Sequence, residues 1–107
     1  GQGAVVGLRL MRPLVVRADA EADIEEAFRW YEARSPGLGT EFVRAVDVVL
    51  AAIERQPDVY PTACRHARRA VLRRVPYAVY YAVPAGSIDV LACMPMRRPP
   101  RRWRRRV

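Results

Sequence analysis

The apolar positions of this chain change period once, near residue 66, and that single switch confines the fold to a small class. Before it, Ile24, Ala27, Phe28 and Tyr31 recur at the i, i+3, i+4, i+7 spacing of one helical face. Phe42, Val46, Val49, Leu50 and Ile53 draw a second such stripe. After it the pattern alternates. Tyr77, Val79, Tyr81 and Val83 share one face of a strand, and Ile88, Val90, Ala92 and Met94 share one face of the next, with Asp89, Leu91 and Cys93 on its reverse. Residues 67–75 are also strand-like, Leu14-Val15-Val16 after Pro13 forms a first strand, and residues 57–66 read as a loop. The predicted order is β-α-α-β-β-β. Helices gathered in one half and strands in the other imply an α+β fold, an antiparallel helix hairpin on one face of a small, mainly antiparallel sheet.

Local signals agree with these boundaries. Asp19 stands where an N-cap belongs, and Glu21, Asp23, Glu25 and Glu26 place negative charge at the positive end of the first helix. Glu25 pairs with Arg29 one turn on. Ser35-Pro36-Gly37 ends this helix, the second runs from Leu38 or Thr40 to Arg55, and Pro57 stops it. So short a link makes the two helices antiparallel neighbours.

Charge is divided as sharply as the period. All 19 basic residues are arginine. Residues 1–60 carry seven of them against ten acids, net −3, whereas residues 61–107 carry twelve against Asp89 alone, net +11. A second half so cationic calls for RNA, DNA, a ribosome or an acidic protein segment as partner. No stretch approaches the roughly 20 apolar residues that span a bilayer, so no membrane role is expected. Arg9 and Arg12 interrupt the would-be core of a secretion signal, which leaves the cytoplasm as the expected compartment. Met11, ahead of Arg12-Pro13, reads as a translation start; residues 1–11 are then an N-terminal extension or a non-native remnant, and residues 12–107 the domain. Cys64 and Cys93, far apart and with only His66 nearby, suggest free thiols; neither metal nor cofactor is expected.

Several motifs in fixed order carry a family resemblance over about residues 12–106. They are Ala22-Asp23-Ile24-x-x-Ala27 with Trp30-Tyr31, then Pro36-Gly37-Leu38-Gly39 leading to Phe42. Pro57-x-x-Tyr60-Pro61 follows, with Arg68 ahead of Val75-Pro76-Tyr77-x-Val79-x-Tyr81, and Arg98-x-Pro100-x-x-Trp103-x-x-Arg106 closes the series. In these the chain resembles the RelE/ParE superfamily of toxins of type II toxin–antitoxin systems. The resemblance implies a microbial-ribonuclease-like fold and a cognate antitoxin with an acidic segment that wraps the toxin. Antitoxin contacts are expected at Trp30, Arg68 and Arg69, Trp30 being alternatively a residue of the helix-pair core.

Two activities divide that superfamily. RelE-like members cut messenger RNA on the ribosome, and ParE-like members inhibit DNA gyrase by binding it. Cleavage through a 2′-hydroxyl needs a base, an acid and cations around the phosphate. Arg68 and Arg98 match family arginines, Tyr77 or Tyr81 would stack a base or act as acid, and His66 is the sole imidazole. The chain lacks the lysines such nucleases use, and Pro95 stands where many relatives carry histidine at the end of the last strand. That gap favours the ParE-like reading, with the contact surface on an extended arm from about residue 97: Arg97, Arg98, Arg101, Arg102, Trp103, Arg104, Arg105 and Arg106. A third reading is a degenerate basic nucleic-acid-binding module.

Overall fold

The computed structural model describes residues 12–99, 101 and 103–107. The proposed extension, residues 1–11, lies outside them, as do Pro100 and Arg102. Strand β1 is Leu14–Val16, helix α1 Ala18–Arg34 and helix α2 Leu38–Arg55. Strands β2 (Thr62–Cys64), β3 (Ala67–Val71), β4 (Tyr77–Ala82) and β5 (Ile88–Pro95) follow, and a 3-10 turn covers Arg104–Arg106. The five strands form one mixed sheet in the order β1-β5-β4-β3-β2, in which only β1–β5 is parallel. No helix among the described residues is long and apolar enough to cross a membrane.

The helix boundary differs slightly from the sequence expectation. Arg17, not Asp19, is the N-cap, and no side chain caps there. The strand ladder is the reason: Arg17 N–H donates to the Val90 carbonyl at 3.0 Å, and the helix begins at once, Glu21 N–H reaching the Arg17 carbonyl at 2.9 Å. At the hairpin between the helices, the Glu32 carboxylate accepts from Gly37 N at 3.0 Å and Gly39 N at 2.9 Å, satisfying donors that a helix start leaves orphaned. Gly37 takes a left-handed φ of 93°, and at Gly39 a Cβ would sit 2.7 Å from the Phe28 ring. Glycine is what lets the two helices close.

Two further expectations are corrected. Residues 57–66 are not all loop, since Thr62–Cys64 pairs with β3 as an edge strand; three residues leave too short a run for a period to register. Nor does β5 alternate throughout. Tyr80 pairs with Ala92 but Tyr81 with Val90, which leaves Leu91 as the extra residue of a bulge. Ile88, Val90 and Cys93 therefore face the helices, while Leu91, Ala92 and Met94 face away.

The sheet consequently has a core on each side. On the helix side Phe42, Val46, Val49 and Ile53 of α2 meet Val79, Tyr81, Ile88 and Val90. On the other, Ala67, Ala78, Ala82 and Ala92 form a shallow hollow that Trp103 fills, its ring centroid 4.1 Å from that of Tyr80. The expected extended arm is thus corrected: the tail folds back and buries Trp103 completely. Transfer of that large apolar surface out of water, about 25 cal/mol per Å2, is what draws it in.

Candidate functional site

Where β1 ends, the outer edge of β5 would be left open. Side chains close it. Asp23 on α1 accepts from Cys93 N–H at 3.0 Å and from Arg106 Nη1 at 2.7 Å, and the same guanidinium donates to the Leu91 carbonyl at 3.1 Å. Arg106 Nε also lies 3.6 Å from Asp19. Arg106 was expected to contact a target; the structure places it instead in this clamp, half-buried, where it ties the tail to α1.

Beside the clamp, α1 and the ends of β4 and β5 enclose a cleft of about 430 Å3 lined by Asp23, Glu26, Ala27, Trp30, Tyr31, Pro76, Tyr77, Cys93, Met94, Pro95 and Arg98. Its wall is an aromatic cluster: Tyr31 stacks on Phe42 at 5.4 Å, and Tyr77 meets both, at 5.9 Å and 5.1 Å. Trp30 stands at the rim, 49% exposed, with the Arg34 guanidinium 3.6 Å from its ring centroid. Half-exposure settles the alternative for Trp30 against a core role. Arg98 has its Nη1 3.5 Å from the Met94 sulfur, a weak contact that leaves its fork free to turn into the cleft. Burial pushes the Tyr77 phenol above its ordinary value, Tyr31 adding to the shift and Arg98 opposing it. The Cys93 thiol is pushed up to about 12 by burial and by Asp23, which makes it an inert core group rather than a nucleophile.

The five residues a nuclease would draw on are not assembled. Tyr77 and Arg98 meet at this cleft, but Arg68 and Tyr81 lie toward the other end of β4, about 13 Å along the strand from Tyr77. There they do structural work. Arg68 Nη1 donates to the carbonyls of Tyr60 at 2.6 Å and Asp58 at 3.1 Å, and the Tyr81 hydroxyl donates to that of Pro57. Both pin the 57–60 loop. Arg68 thus lies across from Tyr81. Tyr81 is fully buried, its phenol pushed up to about 12 chiefly by desolvation, with Arg68 opposing. His66 is exposed in the β2–β3 turn.

The expected partner residues are likewise divided. Trp30 is on the helix side, whereas Arg69, opposite Tyr80, is on the face that carries Trp103. Trp103 is corrected from a surface anchor to a core residue, since the alanine hollow gives it more contact than water does. Arg97, Arg101, Arg104 and Arg105 are exposed around it, and Arg102 is outside the described residues. Sequence reasoning missed Asp23, Glu26 and Tyr31 as cleft residues. Asp23, Glu26, Ala27 and Trp30 fall at i, i+3, i+4, i+7, so the α1 face was there to be read.

Comparisons with known proteins bear on this arrangement. A family model described as the ParE toxin of the type II toxin–antitoxin system parDE matches residues 14–100. Among solved structures, a chain of the chromosomal ParDE TA system from P. aeruginosa superposes with a TM-score of 0.62 at 18% identity, covering 80% of this chain and 97% of that one. At that identity the likeness is one of fold. Comparison with curated proteins finds no match.

Proposed function

Since this chain belongs to the ParE toxin family of type II toxin–antitoxin systems, we propose that it arrests growth in the cytoplasm by binding DNA gyrase, and that a cognate antitoxin holds it silent. The observation that carries this reading is that two of the five would-be nuclease residues, Arg68 and Tyr81, are engaged in holding the 57–60 loop. Arg68 is spent on two backbone carbonyls and Tyr81 on a third, inside the fold, while Arg97, Arg101, Arg104 and Arg105 stay exposed on a tail anchored by Trp103. Inhibition by binding needs a cationic surface held in place; it needs no acid–base pair. Trp103 would be a positioning residue for that surface. The antitoxin would take the cleft at Trp30, where an apolar wall and a half-exposed indole suit an anchor side chain.

One observation favours a ribonuclease as the second reading: Tyr77 and Arg98 share their cleft with Glu26, a carboxylate able to serve as base. The two are separated by pulse-labelling bacteria just after the chain is induced without a partner, together with a supercoiling assay on purified gyrase. The gyrase reading expects DNA synthesis to fall first and supercoiling to stop, with an Arg97, Arg101, Arg104 and Arg105 alanine variant harmless. An immediate fall in protein synthesis, abolished by Arg98→Ala or Glu26→Gln, would sink it in favour of messenger-RNA cleavage. If neither synthesis falls, both toxin readings fail.

A further inference from the structure

The carboxylates of this chain are sorted by layer. Ten of its eleven acids fall between Asp19 and Asp58, on α1, α2 and the loop that follows them. The eleventh, Asp89, stands beside β1, 3.8 Å from the Arg17 guanidinium and accepting from the Ser87 hydroxyl at 3.1 Å. On the sheet face turned away from the helices, Arg69 of β3 is on the side that carries Trp103. Arg101, Arg104 and Arg105 stand exposed along the tail folded over that side. Acids are thus gathered on the helix side, and the field over the tail side is positive.

The tail arginines are held in place. Trp103 is completely buried against Tyr80, and Arg106 is tied to Asp23 and to the Leu91 carbonyl. Arg104 and Arg105 lie between these two anchors, in a 3-10 turn where Arg106 N–H donates to the Trp103 carbonyl at 2.8 Å. Folding has already met the ordering cost of the surface, which leaves more of the contact energy for a partner.

We infer that this face docks the phosphate backbone of double-stranded DNA without reading its sequence, through Arg69, Arg101, Arg104 and Arg105. A regular row of phosphates suits guanidinium forks, and no carboxylate follows Asp89 in the chain to oppose them. The rings on this face select a duplex. Tyr80 and Trp103 are buried, so they offer neither a platform on which unpaired bases stack nor an exposed anchor for a protein. An RNA duplex presents 2′-hydroxyls that donate as well as accept, whereas guanidinium groups only donate. No Asn or Gln occurs from residue 61 onward to read base edges. Arg69 lies outside the surface that the gyrase reading uses, and docking on DNA needs no gyrase, so either reading can fail without the other.

The test is fluorescence anisotropy of the full chain with a labelled DNA duplex, the RNA duplex and single strand of the same sequence, and an all-Glu peptide. The DNA duplex should bind best, its affinity falling with salt at a log–log slope of about −3.6 for four phosphate contacts. R69A/R104A/R105A should weaken binding by about tenfold or more and bring the slope to about −1. R69K/R104K/R105K should keep most of both, because a phosphate contact asks for charge. R29A/R44A/R55A takes the same charge from the two helices and should cost no more than about threefold, since salt screens distant charges. Equal weakening by the two alanine triples would make binding a matter of net charge and overturn the proposal. So would a salt slope that R69A/R104A/R105A leaves unchanged, or tighter binding to the single strand, the RNA duplex or the peptide.

Discussion

The two faces of the sheet are built by different means. The helix side interlocks many medium and large side chains, Phe42, Val46, Ile53, Val79, Tyr81, Ile88 and Val90, from one helix and two strands. The other side sets one indole over four alanines, with Tyr80, Leu91 and Met94 beside them. Hydrogen bonding differs too. On the helix side the Tyr81 hydroxyl has a carbonyl, whereas Trp103 Nε1 is buried without a partner among the described residues. The first core spreads its stability over many contacts and tolerates the loss of a methyl group. The second rests on one residue, held at its margin by the Arg106 clamp. Because the exposed arginines of the tail flank Trp103, the tail's charge is carried by the face with the least redundancy.

The strongest way to break that contrast is Trp103→Ala. It should cost about 3–5 kcal/mol in denaturant unfolding, against about 0.5–1.5 kcal/mol for Ile53→Val on the helix side. Equal costs would mean that the tail-side core is not held by its indole. Trp103→Phe, which removes the orphaned N–H along with part of the volume, should fall well short of the alanine loss.

The clamp comes next. Asp23→Ala leaves the Cys93 amide and the Arg106 fork without their carboxylate, an expected loss of about 1.5–3 kcal/mol. Amide exchange at Cys93 and in the 3-10 turn should quicken with it, while amides in β3 keep their protection. Uniform quickening over the whole sheet would contradict a clamp local to the tail.

The smallest effect concerns alkali. Tyr81 and Cys93 both belong to the helix-side core, and both titrate near 12 when folded, above their ordinary values of 10.0 and 9.0. The unfolded chain therefore ionises first. Stability is whole below about pH 9 and falls as pH rises from there through 12. Tyr81→Phe should flatten the upper part of that decline at the expense of the Pro57 hydrogen bond, about 0.5–1.5 kcal/mol at neutral pH. An unchanged alkaline profile in Tyr81→Phe and in Cys93→Ala would exclude these two groups as its source.

Much of the helix side is visible in the one-dimensional pattern. Ala27, Phe42, Val46, Val49 and Ile53 are buried as their spacing predicts, and Val79 and Tyr81 take the predicted face. The tail side is not visible in that way. Trp103 among arginines has the composition of an exposed contact, and nothing local says that four alanines from three strands make a hollow of its size. Cys93 and Met94 exchange faces because of a single extra residue at Leu91, and a bulge leaves no mark in composition. The cleft is an intermediate case. Its α1 residues lie at helical spacing, but their meeting with Tyr77 and Arg98 depends on where β4 and β5 end.

Period, charge asymmetry and motif order, all legible in the linear sequence, suffice for the element types, the α+β class and the family. Steric and solvation preferences act over one or two turns, so they can be read without the fold. Whether Arg68, Arg98 and Arg106 are free or engaged was decided only when residues 8 to 83 positions apart came together: Arg68 with Tyr60 and Asp58, Arg106 with Leu91 and Asp23, Arg98 with the cleft at Tyr77. A guanidinium's role is set by which acceptors lie within hydrogen-bond reach, and that is a property of the packed chain.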